Sequence, residues 1–91
     1  MQVKFYASLR QAAGTKMMEL EVTPETRIND VLGEVTRRYP MLDKYIWKDN
    51  RVLSEQAHVF VNGENITRLA GLDTRVTAAD KVDIFPPLVG G

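Results

Sequence analysis

The sequence predicts an α+β protein in which one main helix lies across one face of a mostly antiparallel sheet. Three observations carry this. Two stretches far apart in the chain, Val3 to Ala7 and Lys81 to Phe85, alternate apolar and polar residues as strands with one wet face do. One stretch, Ile28 to Tyr39, repeats its apolar residues at helical spacing. Between them, Asn62-Gly63 is the dipeptide of a tight hairpin.

In chain order, Val3, Phe5 and Ala7 share one face of the first strand, and Lys4 and Tyr6 the other. Ser8 to Gly14 is short and alanine-bearing and ends in Gly, which suits a helical turn with a glycine stop. Lys16 to Val22 sets Met18, Leu20 and Val22 against Met17, Glu19 and Glu21, a second strand. Thr23-Pro24-Glu25-Thr26 is a turn. The helix follows, with Ile28, Val31, Leu32, Val35 and Tyr39 on one stripe. Asp30 in its first turn and Arg37 and Arg38 in its last complement the helix dipole. Pro40 ends it, and Thr26 is the expected cap by residue type, with Asn29 as competitor. Met41 to Gln56 is harder to read. Leu42, Tyr45, Ile46 and Trp47 suit a helical turn, and Asp49-Asn50 a turn. Ala57 to Asn62 is a strand with Val59 and Val61 on one side and His58 and Phe60 on the other. Glu64 to Thr67 returns as a short strand, and Leu69 to Val76 reads as loop. Lys81 to Phe85 is the last strand, where Val82 and Ile84 oppose Asp83 and Phe85, and Pro86 forbids its continuation. The first and last strands, free of interior proline, belong at the sheet centre.

Composition narrows the function classes. The chain has 91 residues, enough for one small domain. Hydrophobic residues make up 44% and charged residues 26%, ordinary globular usage. Twelve Lys and Arg balance twelve Asp and Glu. That argues against a nucleic-acid binder, which carries a basic excess, and against an electrostatic membrane anchor. With no cysteine, disulfides, thiolate metal sites and thiol nucleophiles are excluded. No apolar run approaches the roughly 18 residues of a membrane span. MQVKFYASLR lacks the apolar core of a signal peptide, so a cytoplasmic location is expected.

Catalytic signals are sparse. His58 is the sole histidine. Ser8 and Ser54 have no paired base in view. Gly63 and Gly71 belong to no phosphate-loop pattern, and no ligand cluster suggests a metal. A self-contained catalytic site is therefore not expected. Phe85 and Phe60 are more informative. If Val82, Ile84, Val59 and Val61 face inward, alternation turns both phenylalanines outward. On neighbouring strands they would form an exposed patch able to dock a partner.

The chain ends FPPLVGG. Terminal Gly-Gly arises by chance in about one chain in two hundred, and chain ends are commonly frayed. Pro86 and Pro87 stiffen the exit from the sheet. Gly90 and Gly91 carry no side chains, so the tail can enter a channel too narrow for any other pair. The Gly91 carboxylate is then the reactive group presented. ATP could activate it as an acyl-adenylate. Sulfur could attack that anhydride to leave a thiocarboxylate, or a lysine amine could attack to leave an isopeptide bond.

FYASLRQAAGT, INDVLGEVTRRYP, VFVNGENI and DKVDIFPPLVGG together resemble the ubiquitin-like sulfur carrier family, and within it the small subunit of molybdopterin synthase. The similarity spans nearly the whole chain, and the FPP and GG of its end are the most specific part. The stretch Met41 to Gln56 is similar to the longer, archaeal-type members. The resemblance implies a β-grasp, ubiquitin-like roll over residues 1–87: a mixed sheet of about five strands on one main helix, first and last strands parallel at its centre. It implies a flexible Gly-Gly tail at 88–91. It also implies that an adenylating enzyme of the ubiquitin-activating type, using ATP, converts Gly91 to a thiocarboxylate. The carrier itself would bind no cofactor. The sulfur would pass to precursor Z inside the large synthase subunit, in a heterotetramer. Phe85 matches the aromatic that packs against that subunit, and Gly90 the glycine that lets the tail thread. Phe60, Phe85, Pro86, Pro87, Leu88, Val89 and Gly90 are thus the expected partner-binding residues, and Gly91 the site of chemistry. Two alternatives stay open: a ubiquitin-like modifier joined to lysines through Gly91, and a binding module whose Gly-Gly is incidental.

Overall fold

The computed structural model describes residues 1–49 and 51–87. Seven strands and three α-helices follow one another as β1 (Gln2–Phe5), α1 (Ser8–Ala13), β2 (Met17–Glu19), α2 (Ile28–Arg38), α3 (Asp43–Ile46), β3 (Trp47–Asp49), β4 (Val52–Leu53), β5 (His58–Val61), β6 (Glu64–Asn65) and β7 (Lys81–Phe85). Five strands form one mixed sheet in the order β2-β1-β7-β5-β6. β1 and β7 run parallel at its heart, with Val3 opposite Val82 and Phe5 opposite Ile84. The other pairings are antiparallel. This is the expected β-grasp roll.

The core lies between the sheet and α2. Val3, Phe5, Val59, Val61, Val82 and Ile84 descend from the strands to meet Ile28, Val31, Leu32 and Val35. Strand alternation and the helical stripe thus bury the sets that periodicity assigned to the inside. Leu42, Ile46, Ile66 and Val76 close the ends. Every buried hydrophobic residue among the described ones precedes Phe85.

Several local expectations need correction. The first strand stops at Phe5. Ala7 is exposed and carries φ 52° and ψ −126°, so the chain kinks into α1 instead of extending. α1 ends as expected, on Gly14 at φ 77°. The second strand is only Met17–Glu19, although Met18, Leu20 and Val22 keep the inward side. Neither Thr26 nor Asn29 caps α2. Thr26 Oγ1 accepts from Thr23 N and closes the preceding turn. The cap is Arg27, whose N–H donates to the Asp30 carboxylate at 3.0 Å. Glu64 to Thr67 yields only a two-residue strand. A 3-10 turn, Ile66–Arg68, replaces the rest of that strand, and a second, Gly71–Asp73, lies in the expected loop Leu69 to Val76.

In residues 41–56 the expected helical turn is present at Leu42, Tyr45 and Ile46, but Trp47 opens a strand that was not expected. A 3-10 turn, Pro40–Leu42, leads into α3, and then β3 and β4 pair as a separate antiparallel ribbon. Asn50, part of the expected turn, lies outside the described residues. The ribbon is tied to α2 by side chains. Trp47 Nε1 donates to Thr36 Oγ1 at 3.2 Å, and Arg51 reaches the Asn29 side-chain oxygen at 3.3 Å. The Arg51 guanidinium lies over the Trp47 ring and against Gly33, where an added Cβ would meet it at 3.1 Å.

The hairpin at Asn62-Gly63 is as expected, with φ 51° and 84° at its two residues. Asn62 also fastens β7: its side chain donates to Asp80 at 2.8 Å and accepts from Lys81 N at 3.0 Å.

On the outer face of α2, Arg37 and Arg38 both bond the Glu34 carboxylate, at 2.6 Å and 2.8 Å. The Arg37 hydrogen bond, followed by that of Arg38, lowers the Glu34 pKa from 4.5 to about 2. Because the folded value is depressed, this stabilisation is complete above pH 4.5 and is lost as pH falls towards 2. Urea midpoints should therefore drop over that window. Glu34→Gln should remove part of the drop, a modest part because the cluster is solvent-screened. Asp80, lowered by its Asn62 bond, contributes in the same direction and stays behind in the variant.

Candidate functional site: an aromatic patch where the last strand ends

The second face of the sheet has no covering layer among the described residues. Alternation puts Lys4, His58, Phe60, Asp83 and Phe85 there, all half-buried. Register then decides which of them meet. β5 and β7 are direct neighbours, with His58 opposite Phe85 and Phe60 opposite Asp83. Phe60 and Phe85 therefore sit diagonally, their rings edge to face with centroids 5.5 Å apart at 84°. The two phenylalanines expected to share a face do share it.

Tyr6 belongs with them, although sequence reasoning left it apart. β1 is parallel to β7, and Phe5 is the partner of Ile84. The next residue on each strand is Tyr6 and Phe85. Their rings stack at 4.2 Å, 12° from parallel. Tyr6 Oη donates to Asp83 Oδ1 at 3.0 Å. Burial, then this bond, pushes the phenol pKa above its ordinary value. The Arg10 guanidinium lies 5.8 Å from the Tyr6 ring centroid. The usable signal was the outward position of Tyr6 combined with parallel pairing of the end strands.

Pro86 and Pro87 leave β7 directly beside this cluster and are half-buried. Leu88, Val89, Gly90 and Gly91 lie outside the described residues. The aromatic patch is thus built at the root of the Gly-Gly tail. A surface depression lies elsewhere, between β2 and α2, and its lining includes Glu19, Glu21, Asp30, Glu34 and Arg38. Glu34 and Arg38 there are already paired with each other, so the patch is the better candidate.

Residues 3–91 match the ThiS family. The chain belongs to that family. It is similar to small archaeal modifier protein 1 of Methanosarcina acetivorans, whose solution structure is 33% identical with a TM-score of 0.86, covering 99% of this chain and 94% of that one. A candidate sulfur carrier protein of Archaeoglobus fulgidus is 31% identical over 99% of this chain and 97% of its own length. A candidate molybdopterin converting factor subunit 1 of Pyrococcus furiosus is 26% identical, with a TM-score of 0.74 over 96% of this chain and 95% of that one. This ThiS-family chain is therefore a ubiquitin-like protein of the sulfur carrier and modifier class. No helix among the described residues is long and apolar enough to cross a membrane.

Proposed function

We propose that the protein carries sulfur as a Gly91 thiocarboxylate and, as the small subunit of molybdopterin synthase, donates it to precursor Z in the making of molybdopterin. The observation that carries this reading is the aromatic patch at the root of FPPLVGG. The body docks and the tail reacts, so the two need to be adjacent. A partner enzyme of the ubiquitin-activating type joins the Gly91 carboxylate to AMP and releases pyrophosphate from ATP. Sulfide then displaces AMP, leaving the acyl carbon bonded to sulfur. ATP is consumed by the partner, and the carrier holds no cofactor of its own. Gly90, without a side chain, lets the tail thread both active sites. Pro86, Pro87, Leu88 and Val89 complete the partner-binding set between the patch and Gly90. Phe60 and Phe85 anchor the body on the activating enzyme and on the large subunit in turn. The Pyrococcus furiosus likeness supports the molybdopterin assignment.

The likeness to a small archaeal modifier protein supports a second reading, in which a lysine amine displaces AMP from Gly91. Intact mass after incubation with the host's activating enzyme, ATP and sulfide separates the outcomes. Exchange of one oxygen for one sulfur at Gly91, followed by molybdopterin formation with the large subunit and precursor Z, is the expected result. Isopeptide products on lysines with no sulfur exchange would favour the modifier. An unchanged mass, with the enzyme active on another carrier, would overturn both.

A further inference from the structure

Phe85 faces a problem that core residues do not have. In the core, packing on all sides selects one rotamer. On an uncovered sheet face only the lateral neighbours can do so, and an unrestrained ring samples several staggered wells. Ordering it on docking would then weaken binding. Phe60 meets the Phe85 ring edge to face. Tyr6 lies flat against it.

Tyr6 is itself unusually restrained. Its N–H donates to Ile84 O at 3.2 Å and its carbonyl accepts from Leu9 N at 3.1 Å, so its backbone is tied to both β7 and α1. The next residue, Ala7, holds a positive φ that glycine adopts far more readily. The Ala7 carbonyl in turn accepts from Arg10 N and Gln11 N and anchors the first turn of α1. Tyr6 Oη is held at 3.0 Å by Asp83, two residues before Phe85 on the same strand. The ring is thus fixed at its backbone end by a strained kink and at its far end by a carboxylate.

We propose that Tyr6 is a positioning residue: locked by Asp83 and the Ala7 kink, its ring fixes Phe85 in one docking-ready orientation. This goes beyond Tyr6 as one more apolar contact, because the hydroxyl acts within the free protein before any partner arrives. Its consequence for reaction rests on the reading of Gly91 as the reacting residue.

The test uses the full chain and two readouts. The first is the NMR shifts of the Phe85 ring protons in the free protein. The second is steady-state pyrophosphate release with the host's activating enzyme, ATP and sulfide to displace AMP, varying the carrier. Tyr6→Phe keeps the stacked ring and loses only the hydroxyl. It is expected to move the Phe85 ring shifts towards rotamer averaging and to raise KM roughly three- to tenfold with kcat held within about twofold. Asp83→Ala should match it, and the double variant should be no worse than either alone. Ala7→Gly keeps the kink at lower strain. It should raise the thermal midpoint and leave both KM and the Phe85 shifts as in the wild type. Unmoved Phe85 shifts in Tyr6→Phe, or effects on KM that multiply in the double variant, would overturn the proposal. If the wild-type chain releases no pyrophosphate, the Gly91 reading fails, and the ring shifts still decide the role of Tyr6.

Discussion

A chain ending at Gly90 is expected to fold normally and to lose sulfur transfer entirely. The buried residues of the described body all precede Phe85, so removing Gly91 takes no apolar area from the core. Its thermal midpoint should stay within the scatter of repeated scans of the full chain. Activation should fall to background, because the carboxylate is then set back by one residue length, about 3.5 Å. A reacting group misplaced by as little as about 1 Å can lose a hundredfold in rate. Circular dichroism melting and intact-mass analysis measure the two halves of this result. Full activity in the shortened chain would remove Gly91 from the chemistry under both readings of function.

Phe85→Ala is expected to weaken partner binding by about 2 kcal/mol, roughly thirtyfold, the cost of deleting an aromatic anchor from an interface. Its effect on folding should be smaller than that of a core phenylalanine. Truncating Phe5, which is fully buried, should cost about 3–5 kcal/mol. Phe85 is half-buried on the open face, and its losses are the contacts with Tyr6 and Phe60, each worth about 0.5–1.5 kcal/mol. The backbone ladder between β5 and β7 does not depend on the side chain. Titration calorimetry against the activating enzyme, with urea unfolding of the same samples, separates the terms. Stability loss as large as that of Phe5→Ala, with unchanged affinity, would remove the patch from docking.

Legibility followed the reach of the forces. α2 and the buried sides of β1, β5 and β7 were readable because each is set by a period within its own segment. Val59 and Val61, or Ile28, Val31, Leu32 and Val35, declare their common face locally. Phe60 and Phe85 followed from the same alternation. Tyr6 did not, because its place against Phe85 depends on the register between strands at opposite ends of the sequence. The α2 cap was misread because a contact outside the helix decides it. Ile28 N donates to Thr74 O at 2.8 Å and Arg27 forms a β-bridge with Arg75, which places the cap one residue beyond Thr26. The β3–β4 ribbon was illegible for a similar reason. Its two- and three-residue strands have little intrinsic preference, and Trp47 and Arg51 hold them on α2 from the side. Leu88, Val89, Gly90 and Gly91 lie outside the described residues, so the part proposed for the tail rests on residue chemistry and family likeness.

The parallel pairing of β1 with β7 also governs when the protein can exist at all. Without residues 81–85 the sheet divides into β2-β1 on one side and β5-β6 on the other, each a two-stranded piece of marginal stability. The contacts that close the sheet join the ends of the described chain, so they form late and all together. A polypeptide still emerging from the ribosome, or one cut short before residue 81, has no folded body to offer an enzyme. On the proposed reading of Gly91, a chain that lacks β7 is therefore kept from the activating enzyme by its want of a folded body.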